Sequence, residues 1–195
     1  MRTAPLLISP QSMARPGVLT FENVREQFVA ALPGLRGPYE RLATDDVFGN
    51  DGQPGLYILI GWLFASYIEV LLAMPESPLR DVALHKAFGF IEEMLAAQDN
   101  DLVGLAQIGL IESREQWWFQ RALPFVGPLW RHHAARMGEP HWEPAVAAGA
   151  TASPEPSRTI DDLFGVREVI EQQLAAEGVS LSDVAGTPHE DWASS

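Results

Sequence analysis

The chain has no cysteine among its 195 residues, and of its 13 basic residues only Lys86 is a lysine. The absence of cysteine excludes disulfide bonds, zinc sites built from thiolates and cysteine nucleophiles. The sequence also has no glycine-rich phosphate loop, no Gly-x-Ser-x-Gly turn and no Ser-x-x-Lys motif. No enzyme class is therefore indicated by a local motif.

The first residues show no recognisable targeting signal. Arg2 is followed by one short apolar run, residues 4–8, which Pro10 ends. This run is too short for the apolar region of a secretory signal. We therefore expect a cytoplasmic protein.

Positive charge is scarce, and it is unevenly distributed. Residues 1–137 hold 15 acids and 11 bases, a net charge of −4, whereas residues 138–195 hold 11 acids and 2 bases, a net charge of −9. The total of −13 argues against a nucleic-acid-binding surface, which would have to be basic. An acidic surface favours a basic protein partner. The alternative is that the acidity only keeps the protein soluble.

One long apolar run is present, from Leu56 to Met74, and Glu69 is its only charge. Its length is close to the roughly 20 residues that cross a bilayer, so it predicts either a membrane span or the central helix of a helical domain. Glu69 would be costly in a bilayer, and no lysine or arginine flanks the run. The neighbouring segments are amphipathic and need an apolar partner. We therefore expect a central core helix and no membrane partner.

Apolar residues recur at helical spacing on both sides of this run, which predicts an all-α fold. Short loops between the helices indicate an antiparallel bundle or a stack of αα-hairpins around the central apolar helix. Residues 49–55 are predicted to form a loop. The other predicted helices are 21–32, with Thr20 as the N-cap, 38–48, 79–97, 101–123 and 125–137.

Changes in composition predict four parts of the chain. Proline and glycine near the start, a Pro/Ala/Glu-rich stretch and the acidic end set the boundaries. In the last part, residues 160–177 form an amphipathic helix that either docks on its own domain or serves as a ligand for another protein. The parts are a mobile N-terminal arm (1–19), a helical domain (20–137), a linker (138–158) and an acidic tail with that helix (159–195).

Three histidines, His132, His133 and His141, lie close together in the sequence. Their spacing matches no zinc pattern, and adjacent histidines on a helix point about 100° apart. We therefore assign no metal ligand, no cofactor and no catalytic residue. An enzyme that uses this histidine region, with or without a metal, is the alternative to a binding function.

Adjacent tryptophans, Trp117 and Trp118, give the best candidate for a binding surface. Two neighbouring residues of a helix cannot both face one core, so we expect one side chain to be partly exposed. An exposed tryptophan beside Arg114 is typical of a protein-binding hot spot, and Glu112 and Glu115 would add acidic steering. The open alternative is that both tryptophans pack beneath the C-terminal helix.

The order of these features resembles a family of bacterial helical domains of unknown function, the DUF7674 type. The resemblance spans residues 20–137 and rests on four stretches: FVAALPGL at 28–35, GLYILIGWLFASYI at 55–68, FGFIEEMLAAQDNDLVGLAQIGLIES at 88–113 and FVGPLWRHH at 125–133. It implies a small helical protein that acts by binding, as an immunity-type inhibitor of a bacterial toxin. No functional residues are carried over from the family. The sequence thus predicts a protein-binding module whose partner is another protein, with a basic toxin as the leading candidate.

Overall fold

The structure, a computed structural model, describes residues 18–74, 76–112 and 114–148, together with Gln172. The predicted arm, except for its last two residues, lies outside this part of the chain. The predicted C-terminal helix also lies outside it, apart from Gln172. Leu19, at the end of the predicted arm, is buried in the core.

The described residues form an all-α fold, as the sequence predicts. One short antiparallel hairpin interrupts the helices, with Gly49 opposite Pro54 and Asn50 opposite Gln53. The elements in chain order are α1 (Val24–Ala31), a 3₁₀ turn (Pro33–Leu35), α2 (Arg36–Thr44), β1 (Gly49–Asn50), β2 (Gln53–Pro54), α3 (Leu56–Ile58), a π-helical segment (Leu59–Phe64), α4 (Ala65–Ala73), α5 (Pro78–Leu95), α6 (Asn100–Leu110), α7 (Gln116–Ala122), α8 (Pro128–Met137) and α9 (Trp142–Ala148).

The long apolar run is the central helix of the domain, which confirms the prediction for this segment. Leu56–Ala73 is one helix made of α3, the π-helical segment and α4. In length and composition this helix could cross a membrane, but 61% of its residues are buried inside the protein. α6 packs along the π-helical segment, and α5 packs against α4. The surrounding amphipathic helices therefore cover most of this apolar surface.

Several helix bounds differ from the sequence prediction: α2 is Arg36–Thr44 rather than 38–48, and α8 begins at Pro128 rather than at residue 125. At two further places the difference coincides with side chains that bond to the backbone. α1 begins at Val24, after a turn in which Thr20 and Asn23 exchange two hydrogen bonds. The predicted single helix over 101–123 is two helices, α6 and α7. At the break, the Arg114 guanidinium donates a hydrogen bond to the Gly109 carbonyl near the end of α6. This contact satisfies a carbonyl at the helix end.

The folded domain extends beyond residue 137, where the sequence predicted a linker. α9 lies within the predicted linker and packs against α7 and α8. Trp142 and Ala145, three residues apart, lie in the same core as the rest of the domain. The predicted boundary at 137/138 is therefore wrong, because these apolar side chains complete a helix face that the Pro/Ala/Glu-rich composition obscures.

Candidate functional site

Trp117 and Trp118, the predicted binding anchors, are both buried. Trp117 is 8% exposed and Trp118 is 3% exposed. The indole of Trp118 stacks on that of Trp130 at 5.8 Å between ring centroids, and Phe88 lies 5.9 Å away. The expectation that one of the pair is exposed is therefore wrong. Both side chains can be buried because helices pack on two sides of the short α7.

The charged residues predicted to accompany these tryptophans do not form one surface. Arg114 is half-buried, and its guanidinium lies 5.9 Å from the centre of the Trp118 ring. Burial lowers the pKa of Arg114, and the carboxylates of Glu69 and Glu139 oppose this shift. Glu112 and Glu115 are exposed, and Glu115 accepts a 2.6 Å hydrogen bond from the indole nitrogen of Trp117. Arg114 thus links the end of α6, through the Gly109 carbonyl, to Trp118 of α7, while Glu112 and Glu115 face the solvent.

His132 and His133 lie at the surface of α8. The rings of His132 and His133 lie 5.6 Å apart in an edge-to-face arrangement, and the Nδ1 atom of His133 lies 2.6 Å from the Nε2 atom of Gln107. Burial is the main cause that lowers the pKa of His133, with smaller contributions from its neighbours. Among the described residues, no three histidine, aspartate or glutamate side chains are grouped to hold a metal ion.

Different aromatic side chains are exposed, on the central helix and in the loop before the hairpin. Trp62 is 47% exposed and Tyr57 is 54% exposed. The ring of Phe48 packs against Trp62, with 5.6 Å between centroids and 59° between ring planes. Val47, next to Phe48, is 79% exposed. We call Val47, Phe48, Tyr57 and Trp62 the aromatic patch.

Trp62 lies in the π-helical segment, which changes its direction relative to Tyr57. In a regular α-helix, residues 57 and 62 would point about 140° apart, so they would not share a face. The wider π turn brings residues five apart closer to one face, and such turns are frequent at functional sites. One residue earlier, Gly61 meets Gly109 of α6, and a Cβ on Gly109 would lie only 3.2 Å from the Gly61 Cα. The close helix contact therefore fixes which side of the π-helical segment faces outward.

The loop before the hairpin holds Phe48 against Trp62. One carboxylate oxygen of Asp45 accepts hydrogen bonds from the backbone N–H groups of Val47, at 2.8 Å, and Phe48, at 3.1 Å. Gly49 follows in a tight space, because a Cβ there would lie 2.4 Å from the Ala43 carbonyl oxygen. On the other strand, the Pro54 carbonyl accepts a 3.0 Å hydrogen bond from Arg25 of α1. The patch is therefore supported by α1, α2 and the central helix.

Acidic residues lie close to the aromatic patch in the sequence. Asp45, Asp46 and Asp51 are exposed in the loop and hairpin that carry Phe48. The sequence has no lysine or arginine between Arg41 and Arg80. The only bases of α1 and α2 are Arg25, Arg36 and Arg41. A partner at this patch would therefore meet apolar rings beside carboxylates.

This patch is not predicted by the sequence, because the central helix is apolar almost all the way round. A run of apolar residues gives no sign of which side chains remain uncovered. The only available signals were the bulky Tyr57 and Trp62 in a run that is otherwise rich in aliphatic residues.

Comparison with known proteins identifies no family for this chain: no protein-family model matches it, and no curated protein or solved structure gives a match. The resemblance to the DUF7674 type stays a prediction.

Proposed function

We propose that this chain is a protein-binding module and that the aromatic patch is its docking surface. The observation that carries the proposal is the half-exposed indole of Trp62 at the middle of the central helix, packed against Phe48. Tryptophan and tyrosine are enriched among the residues that contribute most to binding energy. Large apolar side chains grouped on a surface mark interaction sites more often than isolated ones do.

The finer proposal is that the protein is a cytoplasmic immunity-type inhibitor that binds a basic toxin. The family resemblance of residues 20–137 and the net charge of −13 support it. Glu112 and Glu115 are exposed and can still steer a basic partner, but the buried Trp117 and Trp118 do not supply its anchor. In this proposal the aromatic patch takes over the anchoring role.

Site-specific photocrosslinking in cells of the source organism tests the docking surface. A photoreactive phenylalanine analogue replaces Tyr57 or Val47 in the patch. It replaces Val82 of α5 or Val146 of α9 in matched controls, each of which is 52% exposed. We expect a discrete adduct of constant mass from the two patch positions and none from the controls. The adduct from position 47 should disappear in the Trp62→Ala background.

Two outcomes would contradict the proposal. Adducts of the same mass from the controls would show contact without a defined surface, and the absence of any adduct from positions 47 and 57 would show that the patch is not a docking surface.

Mass spectrometry of the adduct tests the proposal that the protein is an immunity-type inhibitor. A toxin whose activity this chain suppresses supports it, whereas a partner with no such activity contradicts it.

A further inference from the structure

We infer that the partner places an arginine or lysine side chain against the indole face of Trp62, and that the surrounding aspartates select this charge. The inference rests on the proposed function, because it names the chemistry of a partner at the same patch. It goes beyond a general preference for basic proteins, since it assigns the cation to one ring.

The ring geometry supports this assignment. A cation within about 6 Å of an aromatic face is attracted by the ring quadrupole, and tryptophan is the best such ring. Trp62 exposes 47% of its surface, and the plane of Phe48 is inclined to it by 59°. Phe48 therefore contacts the indole, while close to half of the Trp62 surface remains available to a side chain from outside.

The charge distribution supports a positively charged partner segment. Asp46 and Asp51 are exposed, and Asp45 is also exposed while it holds the loop through its bonds to Val47 and Phe48. Arg25 of α1 donates to the Pro54 carbonyl and keeps its positive charge at the hairpin, where the three aspartates outnumber it. An acidic partner segment would meet three aspartates here, whereas a basic segment would be attracted by them.

The chemistry also indicates why arginine suits the site. The planar guanidinium stacks on aromatic rings and is more weakly hydrated than an ammonium group. It can therefore lie against Trp62 and still donate hydrogen bonds to a carboxylate. The patch thus combines an apolar surface with a cation site, which a segment of alternating basic and apolar residues would fit.

Model peptides test the inference directly. The probe is a ten-residue peptide of alternating arginine and leucine, and the matched control replaces every arginine by citrulline, which keeps the shape and removes the charge. Binding is followed by fluorine NMR of the full chain labelled with 5-fluorotryptophan. The Trp62 resonance is assigned from the spectrum of Trp62→Phe. We expect the arginine peptide to shift the Trp62 resonance and the citrulline peptide to bind at least about tenfold more weakly.

Matched protein variants separate this site from general attraction to an acidic chain. The pair Asp46→Asn/Asp51→Asn should weaken binding of the arginine peptide several-fold. The control pair Glu112→Gln/Glu115→Gln, which removes the same charge from another exposed segment, should leave binding nearly unchanged. Trp62→Leu should weaken it at least about thirtyfold if the indole is a true hot spot.

Four results would overturn the inference. Equal binding of the citrulline peptide would show that the patch does not select a cation, although the docking surface itself would stand. An arginine peptide that binds without shifting the Trp62 resonance, or equal weakening by the two charge-removing pairs, would show attraction to the acidic chain as a whole. No binding of the arginine peptide would also contradict it. The photocrosslinking experiment decides separately whether the patch docks any protein.

Discussion

The carboxylate of Glu92 lies in the space that a side chain at Gly127 would need. A Cβ on residue 127 would be 2.3 Å from the Glu92 Cδ atom. From this position Glu92 accepts hydrogen bonds from the backbone N–H groups of Leu129, at 3.1 Å, and Trp130, at 2.7 Å. A side chain of α5 therefore caps the first turn of α8, where a negative charge also stabilises the helix dipole.

We predict that Gly127→Ala destabilises the protein by displacing this carboxylate. The φ of −82° at Gly127 is available to alanine, so the cost comes from the displaced cap rather than from the backbone. Loss of two charge-assisted hydrogen bonds should cost about 1.5–3 kcal/mol in the free energy of unfolding, measured by urea denaturation. Glu92→Ala should cost a similar amount, and the double variant should show strong non-additivity. Additive losses would disprove the shared cause.

A second prediction concerns the crossing of the central helix and α6. Gly109→Ala places a Cβ within 3.2–3.3 Å of the Gly61 backbone, so the helices must move apart. We expect a loss of about 1–3 kcal/mol in unfolding free energy. Gly104→Ala, in the same helix with no heavy atom within 4 Å of the new Cβ, is the control and should gain about 0.5–1 kcal/mol. Similar effects of the two substitutions would refute the close crossing.

Two arginines are predicted to stabilise the C-terminal end of the central helix. Arg80, which is 4% exposed, donates to the Leu71 carbonyl at 2.9 Å, and Arg121 donates to the Leu72 and Met74 carbonyls at 3.0 and 3.2 Å. Arg80→Met leaves a buried acceptor unpaired and should cost about 1–3 kcal/mol in thermal or urea unfolding. Arg80→Lys should restore little of this, because an ammonium group cannot reproduce the directed Nε contact.

Exposed Arg36 provides the control for this experiment. Arg36→Met should change the unfolding free energy by less than about 0.5 kcal/mol. If Arg80→Met has an equally small effect, the guanidinium does not stabilise the helix end.

The free energy of unfolding should decrease as the pH drops below neutral, because of His133. Burial holds the pKa of His133 below its value of about 6.5 in an unfolded chain, so the unfolded state binds the proton more tightly. The contribution of neutral His133 to stability is therefore complete above about pH 6.5 and is lost as the pH falls from there toward the folded pKa. Urea denaturation at about pH 7.5 and about pH 5 should show a smaller loss for His133→Gln than for the parent. An NMR titration that places the His133 pKa at or above its unfolded value would contradict the prediction.

Substitution of Trp118 and of Trp62 should have different effects on the free energy of unfolding. Trp118→Ala opens a cavity beside Phe88 and Trp130 and should cost about 3–5 kcal/mol in unfolding free energy. Trp62→Ala removes a half-exposed ring and should cost less than about 1 kcal/mol. Measured side by side, the two variants distinguish a core residue from a surface anchor. A large loss of stability in Trp62→Ala would show that its indole is needed for folding.

The all-α class and the position of the central helix follow from the sequence alone, because an apolar run of this length and amphipathic neighbours with helical periodicity admit few other arrangements. Helix ends were predicted less well, since the break between α6 and α7 depends on Arg114 reaching the Gly109 carbonyl rather than on a proline or glycine signal. The residues of α9 have a composition that is typical of a linker, so the sequence does not predict their helix.

Which aromatic residues face the solvent depends on the tertiary fold and could not be predicted from the sequence. Trp117 and Trp118 look as suited to a surface as Trp62 when they are read along the chain, yet they are buried and Trp62 is half-exposed. The difference arises from long-range packing: helices enclose α7, whereas the Gly61–Gly109 contact and the π turn direct Trp62 outward. Local periodicity reports which face of a helix is apolar, but the exposure of a side chain depends on neighbours that are distant in sequence.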